Sequence, residues 1–142
     1  MTEARQLRHS VLRPHQQPEE LVFRGDDAPD TLHVGAFEND KLVAIASVAR
    51  EEFPGEPHLD AWRLRGMATL PEARRQGYGA ALVRACVTHV AARGGNLIWC
   101  YGRTSALPFY RALGFREHGG EFDMPVTGPH FVLRREVQPN NR

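Results

Sequence analysis

The apolar positions of this 142-residue chain alternate with polar ones in some segments and recur at helical spacing in others. Strict alternation is typical of strands, and the helical period is typical of a helix with one buried face. Two adjacent segments of the first kind flank the polar turn Glu38–Lys41 and form a hairpin. The predicted strands are Thr31–Phe37, Leu42–Arg50, Asp60–Leu70, Asn96–Gly102, Phe115–Asp123 and Pro129–Val137.

Two longer segments have helical periodicity. Glu3–Leu12 ends before Pro14, which cannot continue a helix, and the polar, acidic segment His15–Asp30 after it is a predicted loop. Ala80–Arg93 places its apolar residues on one face and ends at Gly94. The second helix lies between two predicted strands, and this order favours parallel pairing of those strands.

A third, shorter helix is predicted over Ser105–Leu113. Ser105 has the side chain of an N-cap, and Pro108 fits the first turn. Gly114 follows the last turn, where glycine commonly ends a helix. The two strands after it form a second hairpin, so most of the sheet is expected to be antiparallel.

Composition limits the location and the partners of the protein. Apolar residues make up 42% of the chain, and this length predicts one domain over residues 1–142. The net charge of +1 produces no overall field that would favour nucleic acid or a membrane. No apolar run is long enough to span a bilayer, and Met1–Arg13 does not have the pattern of a secretion signal. The sequence therefore predicts a cytoplasmic protein.

The cysteines and histidines give two further expectations. Cys86 and Cys100 lie on a predicted helix and a predicted strand, and they are interpreted as buried thiols in a reducing compartment. The histidines do not have the spacing of metal ligands, so no metal is predicted.

A glycine-bearing turn between Met67 and Ala80 has the first candidate chemistry. Its spacing is Arg74-x-x-Gly77-x-Gly79, at the point where a strand gives way to a helix. Backbone N–H groups at a helix start lack intrahelical partners and lie at the positive end of the dipole, so such a turn binds phosphate. The spacing matches neither the GxxxxGK loop nor the GxGxxG fingerprint. An ordinary arginine-rich helix start is the alternative interpretation.

A second motif follows at Ser105–Phe115, with the sequence S-A-L-P-F-Y-R-A-L-G-F. Together the two motifs resemble the GNAT superfamily of N-acetyltransferases. The first looks like the acetyl-CoA pyrophosphate loop of that family, and the second is similar to its A-x-x-F-Y-x-x-x-G-F segment. The resemblance spans Thr31–Val137. A weaker similarity, over Leu7–Arg13 and Gly120–Phe131, is to the small bacterial ElaA-like branch.

The resemblance implies an α/β (α+β) fold of the GNAT type. Its central sheet is mixed but mostly antiparallel, with six or seven strands and helices on both faces. Family members usually have one more strand before the first helix. Little sequence precedes Glu3 here, so we expect that edge strand to be absent or very short. An open sheet edge would favour a homodimer.

The resemblance also implies acetyl-CoA as the co-substrate. The end of the third strand would offer backbone hydrogen bonds to the pantetheine arm and the acetyl carbonyl, and the turn would hold the pyrophosphate. Arg75 stands where the family often has glycine, and Arg103 stands where many members have an asparagine. The implied cofactor-binding residues are Met67, Ala68, Thr69, Arg74, Arg75, Gln76, Gly77, Tyr78, Gly79, Ala80, Arg103 and Tyr110.

Tyr110 is the predicted catalytic residue. It occupies the position of the family tyrosine that faces the CoA sulfur. A phenol can donate a proton or a hydrogen bond to the leaving thiolate. The alternative is a buried aromatic on an amphipathic helix, which is the role expected of Phe109.

The general base has several candidates. Some family members use a glutamate on the strand before the loop, but counting back from Arg74 places Arg63 there, and arginine cannot accept a proton at neutral pH. Ordered water could serve instead of a side chain. The candidate side chains are Glu51, Glu52, Asp60, His33, His58 and His130.

The resulting hypothesis is an N-acetyltransferase that moves an acetyl group from acetyl-CoA to the primary amine of a small-molecule or peptide acceptor. Two other classes stay open at this point. A CoA-binding module could sense or interact without transferring, and turnover with any amine would exclude it. A nucleotide-binding protein could use the same turn, and it would show competition by ATP or NAD.

Overall fold

The computed structural model describes residues 30–38, 41–74 and 76–139. The predicted helix Glu3–Leu12, all but the end of the loop His15–Asp30, and Arg75 lie outside these residues. Eight of the predicted elements lie within them, and all eight are present, with ends that differ from the predictions by at most two residues. The strands are β1 (Leu32–Glu38), β2 (Lys41–Arg50), β3 (Ala61–Thr69), β4 (Leu97–Arg103), β5 (Arg116–Met124) and β6 (Gly128–Glu136).

Two α-helices connect these strands. Helix α1 (Tyr78–Ala92) begins two residues before the predicted start, and helix α2 (Leu107–Ala112) follows a 3₁₀ turn over Thr104–Ala106. In the part of the chain that the structure describes, no helix is long and apolar enough to cross a membrane.

The predicted N-cap at Ser105 is wrong. The chain tightens into the 3₁₀ turn before α2, and the N–H of Leu107 donates to the carbonyl of Thr104. This places Ser105 inside the turn and Ala106 at the cap position, without a side-chain hydrogen bond. Pro108 in the first turn and Gly114 after the last turn are as predicted.

The strands form one mixed sheet in the order β1-β2-β3-β4-β6-β5. Strands β3 and β4 are parallel, as the helix between them predicts, and they pair only over Ala61–Arg63 against Leu97–Trp99. Pairing is antiparallel between β1 and β2, between β4 and β6, and between β5 and β6. The expectation of a mixed, mostly antiparallel sheet with an apolar inner strand β4 is confirmed.

The chain divides into two compact units. Of the described residues, the first unit contains those up to Arg50 and those within Leu64–Cys86, and the second contains Glu51–Arg63 and those from Val87 onward. In the first unit, buried Ile45 and Ala68 pack together. In the second unit, the buried residues Phe53, Ala61, Leu97 and Trp99 form a cluster, against which Leu59, Tyr101 and Val132 pack. The apolar face predicted for α1 is present, with Leu82, Val83, Cys86 and Val90 buried.

Candidate active site

In the first unit, strand β3 contains a local irregularity just before the predicted cofactor-binding backbone. Gly66 has φ of +69° although it lies inside the strand, and glycine is the residue that adopts this conformation without strain. A left-handed glycine within a strand is typical of a bulge, which redirects the residues that follow it. Those residues are Met67–Thr69. The sequence predicts a uniform strand over Asp60–Leu70, and the isolated glycine inside it is the signal that points to a bulge.

The turn after β3 has the geometry of a helix start that is open to an anion. The N–H of Leu70 donates to the carbonyl of Val43 at 2.8 Å and fixes the start of the turn. Gly77 has φ of +83°, and no described atom outside its chain neighbours lies within 4 Å of where its Cβ would be. Its carbonyl accepts the N–H of Ala81 at 3.1 Å, which makes Gly77 the N-cap of α1.

This cap places three predicted phosphate-binding residues in the first turn of α1: Tyr78, Gly79 and Ala80. First-turn N–H groups have no intrahelical acceptor, and they lie at the positive end of the helix dipole. Helix α1 has no acidic residue in its first turn. The local geometry therefore fits a phosphate group.

Hydrogen bonds from three polar side chains stabilise this turn. Arg74 donates from Nε to the carbonyl of Thr69 at 3.4 Å, and Gln76 donates from Nε2 to the carbonyl of Glu72 at 3.1 Å. The hydroxyl of Tyr78 donates to the carboxylate of Glu38 at 2.7 Å. These contacts span the turn from the end of β3 to the start of α1 and hold its backbone in place.

In the second unit, Tyr110 lies on α2 and packs against β4. Its hydroxyl donates to the sulfur of Cys100, and burial together with this hydrogen bond raises the pKa of Tyr110 well above its ordinary value. Its ring meets that of Phe115 edge to face, with centroids 5.5 Å apart. Tyr110 is therefore a protonated hydrogen-bond donor at neutral pH.

Arg103 is the exposed last residue of β4, directly opposite His130 of β6 in the register. Side chains alternate along a strand, so Arg103 and Tyr101 project to one face of β4. Cys100 projects to the other face, where Gly102 has no side chain. The predicted contact of Arg103 with CoA stays a prediction. Its charge nevertheless acts on Tyr110, since it lowers the pKa of that phenol in opposition to the larger effect of burial.

Glu51 is paired with Arg63, which stands where some family members have a glutamate. The Nη1 of Arg63 donates to Oε2 of Glu51 at 3.2 Å. The same guanidinium lies over Tyr101, 4.9 Å from the ring centroid, and over Trp99 at 5.4 Å. Glu51 is thus held in a half-buried ion pair.

The other candidate bases of the described chain differ in their surroundings. Glu52 and His58 are exposed, and Asp60 is half-buried at the start of β3. Nδ1 of His33, in the first unit, lies 2.8 Å from the hydroxyl of Ser47. Each of them stays a candidate.

The contact of His130 with a backbone carbonyl fixes which ring nitrogen is the donor. Its side chain is 5% exposed, and Nδ1 lies 2.8 Å from the carbonyl oxygen of Gly128. A carbonyl oxygen only accepts, so Nδ1 carries the hydrogen and Nε2 of the neutral ring carries the lone pair. The ring lies near Phe122, with centroids 6.3 Å apart.

Cys86 and Cys100 are both free and buried, as predicted. Burial raises the pKa of each thiol to about 12. Both therefore remain uncharged thiols at neutral pH and are poor nucleophiles.

The chain is similar in sequence to known acetyltransferases. The sequence model described as "Acetyltransferase (GNAT) family" matches residues 1–115, which include both motifs. YitI of Bacillus subtilis (strain 168), named as an uncharacterized N-acetyltransferase, is 35% identical over 133 residues, 94% of this chain and 89% of that protein. The [ribosomal protein bS18]-alanine N-acetyltransferase of Escherichia coli (strain K12) is 29% identical over 113 residues, 77% of this chain and 72% of that protein.

The fold agrees with this similarity. The crystal structure of Escherichia coli ElaA superimposes with a TM-score of 0.77 at 20% identity, covering 94% of this chain and 88% of that one. The chain belongs to the GNAT family of acetyltransferases. It is an acetyl-CoA-dependent N-acetyltransferase, and the two motifs of the sequence analysis are those of this family.

Proposed function

We propose that the first motif binds acetyl-CoA and that the second stabilises the leaving thiolate during acetyl transfer. The first-turn N–H groups of Tyr78, Gly79 and Ala80 bind the pyrophosphate, with Gly77 allowing close approach and Arg74 adding positive charge. The left-handed conformation of Gly77 directly before α1 is the observation that carries this assignment. The remaining loop positions predicted for the cofactor, Arg75 and Gln76, keep their assignment as a proposal.

The end of β3 would serve the acyl group. Backbone groups of Met67, Ala68 and Thr69 bind the pantetheine arm and the acetyl carbonyl. We assign the N–H groups of Ala68 and Thr69 to the oxygen that gains negative charge during attack. The left-handed Gly66 supports this assignment, because a bulge redirects the backbone that follows it.

The chemical step is direct attack of an unprotonated amine on the thioester. The nitrogen lone pair forms the new C–N bond, the C–S bond breaks, and its electron pair goes to sulfur. Tyr110 donates its O–H to that sulfur, and the proton lost by the nitrogen goes to a base. Because the pKa of Tyr110 is raised, its contribution is chiefly a hydrogen bond that stabilises the thiolate as it forms.

We propose His130 as the general base. Among the described candidates it has a hydrogen bond that leaves Nε2 as the acceptor in the neutral ring. Glu51 is less suited, because its carboxylate is already paired with Arg63. Arg103, opposite His130 on β4, would then bind an acidic group of either co-substrate.

The acceptor is proposed to be a primary amine on a small molecule or at a peptide N-terminus. The similarity to an alanine N-acetyltransferase supports testing peptides that begin with alanine. We expect the protein to release CoA and to acetylate at least one member of a panel of such peptides, polyamines and aminoglycosides. Acetylation replaces one hydrogen by an acetyl group and raises the acceptor mass by about 42 Da. An N-terminally blocked copy of each peptide is the control. Acetyl-CoA binding without turnover of any amine would instead support a sensing module.

Replacing His130 tests the base. His130→Gln retains a hydrogen-bonding side chain but cannot take a proton, so we expect kcat/KM for an alkylamine acceptor to fall by about tenfold or more at neutral pH. The deficit should shrink as the pH approaches the pKa of the amine. Rates with hydroxylamine, which is unprotonated at neutral pH, should change little. His118→Gln, at an exposed histidine of β5, is the matched control. An equal loss with both acceptors would contradict the assignment.

Two further expectations from the sequence are carried forward as proposals. The free thiols Cys86 and Cys100 support a cytoplasmic location, since thiols persist in reducing compartments. Strand β1, at one end of the strand order, supports a homodimer formed by edge pairing. We also propose that residues 1–142 act as one GNAT-like domain.

A further inference from the structure

The ring of Tyr110 lies on a part of β4 that has no side chain. A Cβ placed on Gly102 would be 3.0 Å from Cε2 and 3.2 Å from Cδ2 of that ring, and 2.4 Å from Cδ1 of Leu133. Such distances are shorter than ordinary van der Waals contacts. The absence of a side chain at Gly102 therefore allows the ring to rest directly on the strand.

The hydroxyl of the same side chain meets Cys100, two residues earlier on the same face of β4. Cys100 is 2% exposed and pairs with buried Leu133 in the register of β4 and β6. Its sulfur accepts the hydrogen bond of Tyr110. Strand β4 thus contacts the Tyr110 side chain at two points. The bare backbone at Gly102 determines how closely the ring approaches the strand, and Cys100 determines the direction of the hydroxyl.

We propose that Cys100 is a positioning residue for acetyl transfer, because its sulfur holds the Tyr110 hydroxyl in the orientation that serves the leaving thiolate of CoA. The inference rests on the role proposed for Tyr110. A thiol is both a weak acceptor and a weak donor. It accepts from the hydroxyl before the reaction, and its S–H donates to the phenol oxygen once the hydroxyl turns to the thiolate. Cys100 itself forms no covalent bond to the acetyl group.

A thiol suits this position better than a carboxylate or a backbone carbonyl would. A carboxylate or carbonyl would retain the hydroxyl proton with a strong hydrogen bond and compete with the CoA sulfur. The thiol is a weaker acceptor than the developing thiolate, so the hydroxyl is oriented and still released. An apolar side chain would fill the space but could not accept a hydrogen bond from the hydroxyl.

Two substitutions separate this role from simple packing. Cys100→Val keeps an apolar side chain of similar size in a buried strand, and Cys100→Ser keeps the donor and acceptor but is poorly suited to the apolar site. The rate of CoA release is measured with hydroxylamine as the acceptor, so that neither the general base nor acceptor recognition affects it. We expect Cys100→Val to lower kcat by about three- to tenfold with KM for acetyl-CoA unchanged.

The Cys100→Ser variant and the Tyr110→Phe background distinguish loss of the hydrogen bond from loss of packing. We expect Cys100→Ser to keep kcat within about twofold of the wild-type value, although thermal unfolding should rank it below Cys100→Val in stability. In a Tyr110→Phe background, Cys100→Val should lower kcat no further. Equal effects of Cys100→Val in both backgrounds, or no effect in the wild type, would overturn the inference about Cys100 alone. Normal kcat in Tyr110→Phe would overturn the role of Tyr110, and the inference with it.

Discussion

Replacing Tyr110 with phenylalanine is expected to lower kcat by about a hundredfold or more while KM for acetyl-CoA stays nearly constant. The substitution removes only the hydroxyl, and the ring still packs on Phe115 and on the bare backbone at Gly102. The leaving thiolate then forms without its hydrogen-bond donor. Because that bond is needed mainly in the transition state, the loss should appear in kcat. Steady-state rates of CoA release measure it.

The same experiment has a control and a pH signature. Tyr101→Phe removes a hydroxyl from the opposite face of β4, and we expect kcat to change less than about threefold. The pKa of Tyr110 is raised, so its proton remains bound as the pH increases through the ordinary range of tyrosine. The wild-type kcat should therefore show no alkaline decline from Tyr110 below about pH 10. A large decline near pH 9 in the wild type that is absent in Tyr110→Phe would contradict the raised pKa.

The order of the elements could be predicted because the spacing of apolar residues identifies each helix and strand, and glycine and proline indicate where each one ends. The run Leu97–Tyr101 is apolar at every position, which is typical of a strand covered on both faces, and β4 lies inside the sheet. Gly94 and Gly114 mark the ends of both helices. These signals depend on a few neighbouring residues, and a single sequence contains them.

The details that define the site depend on contacts between distant residues. The hydrogen bond of Tyr110 to Cys100 joins a helix to a strand, and it requires the bare backbone at Gly102 between them. The ion pair of Arg63 with Glu51 joins β3 to the residue that follows β2, and no local sequence pattern predicts this contact. By contrast, the contact of His130 with Gly128 spans two residues, yet its consequence for the tautomer appears only once the distance is known.

Replacing Gly79 with proline is expected to raise the Kd for acetyl-CoA by about ten- to a hundredfold, which corresponds to the loss of one hydrogen bond to a charged group. Gly79 lies in the first turn of α1, one residue after the helix begins at Tyr78. Proline is tolerated in a first turn because the N–H it removes has no intrahelical acceptor. The helix should therefore persist while one of the proposed phosphate donors is lost.

Matched variants make this test specific. Gly79→Ala adds a methyl group but keeps the N–H, so a loss confined to Gly79→Pro identifies the donor, whereas an equal loss in both identifies crowding near the phosphates. Calorimetric titration is done with acetyl-CoA and with 3′-dephospho-CoA, which keeps the pyrophosphate, and both should weaken alike. ATP that competes with acetyl-CoA as strongly as CoA does would point to a general phosphate site instead. Circular dichroism checks that α1 is retained, since a collapsed helix would weaken binding without involving the N–H of residue 79.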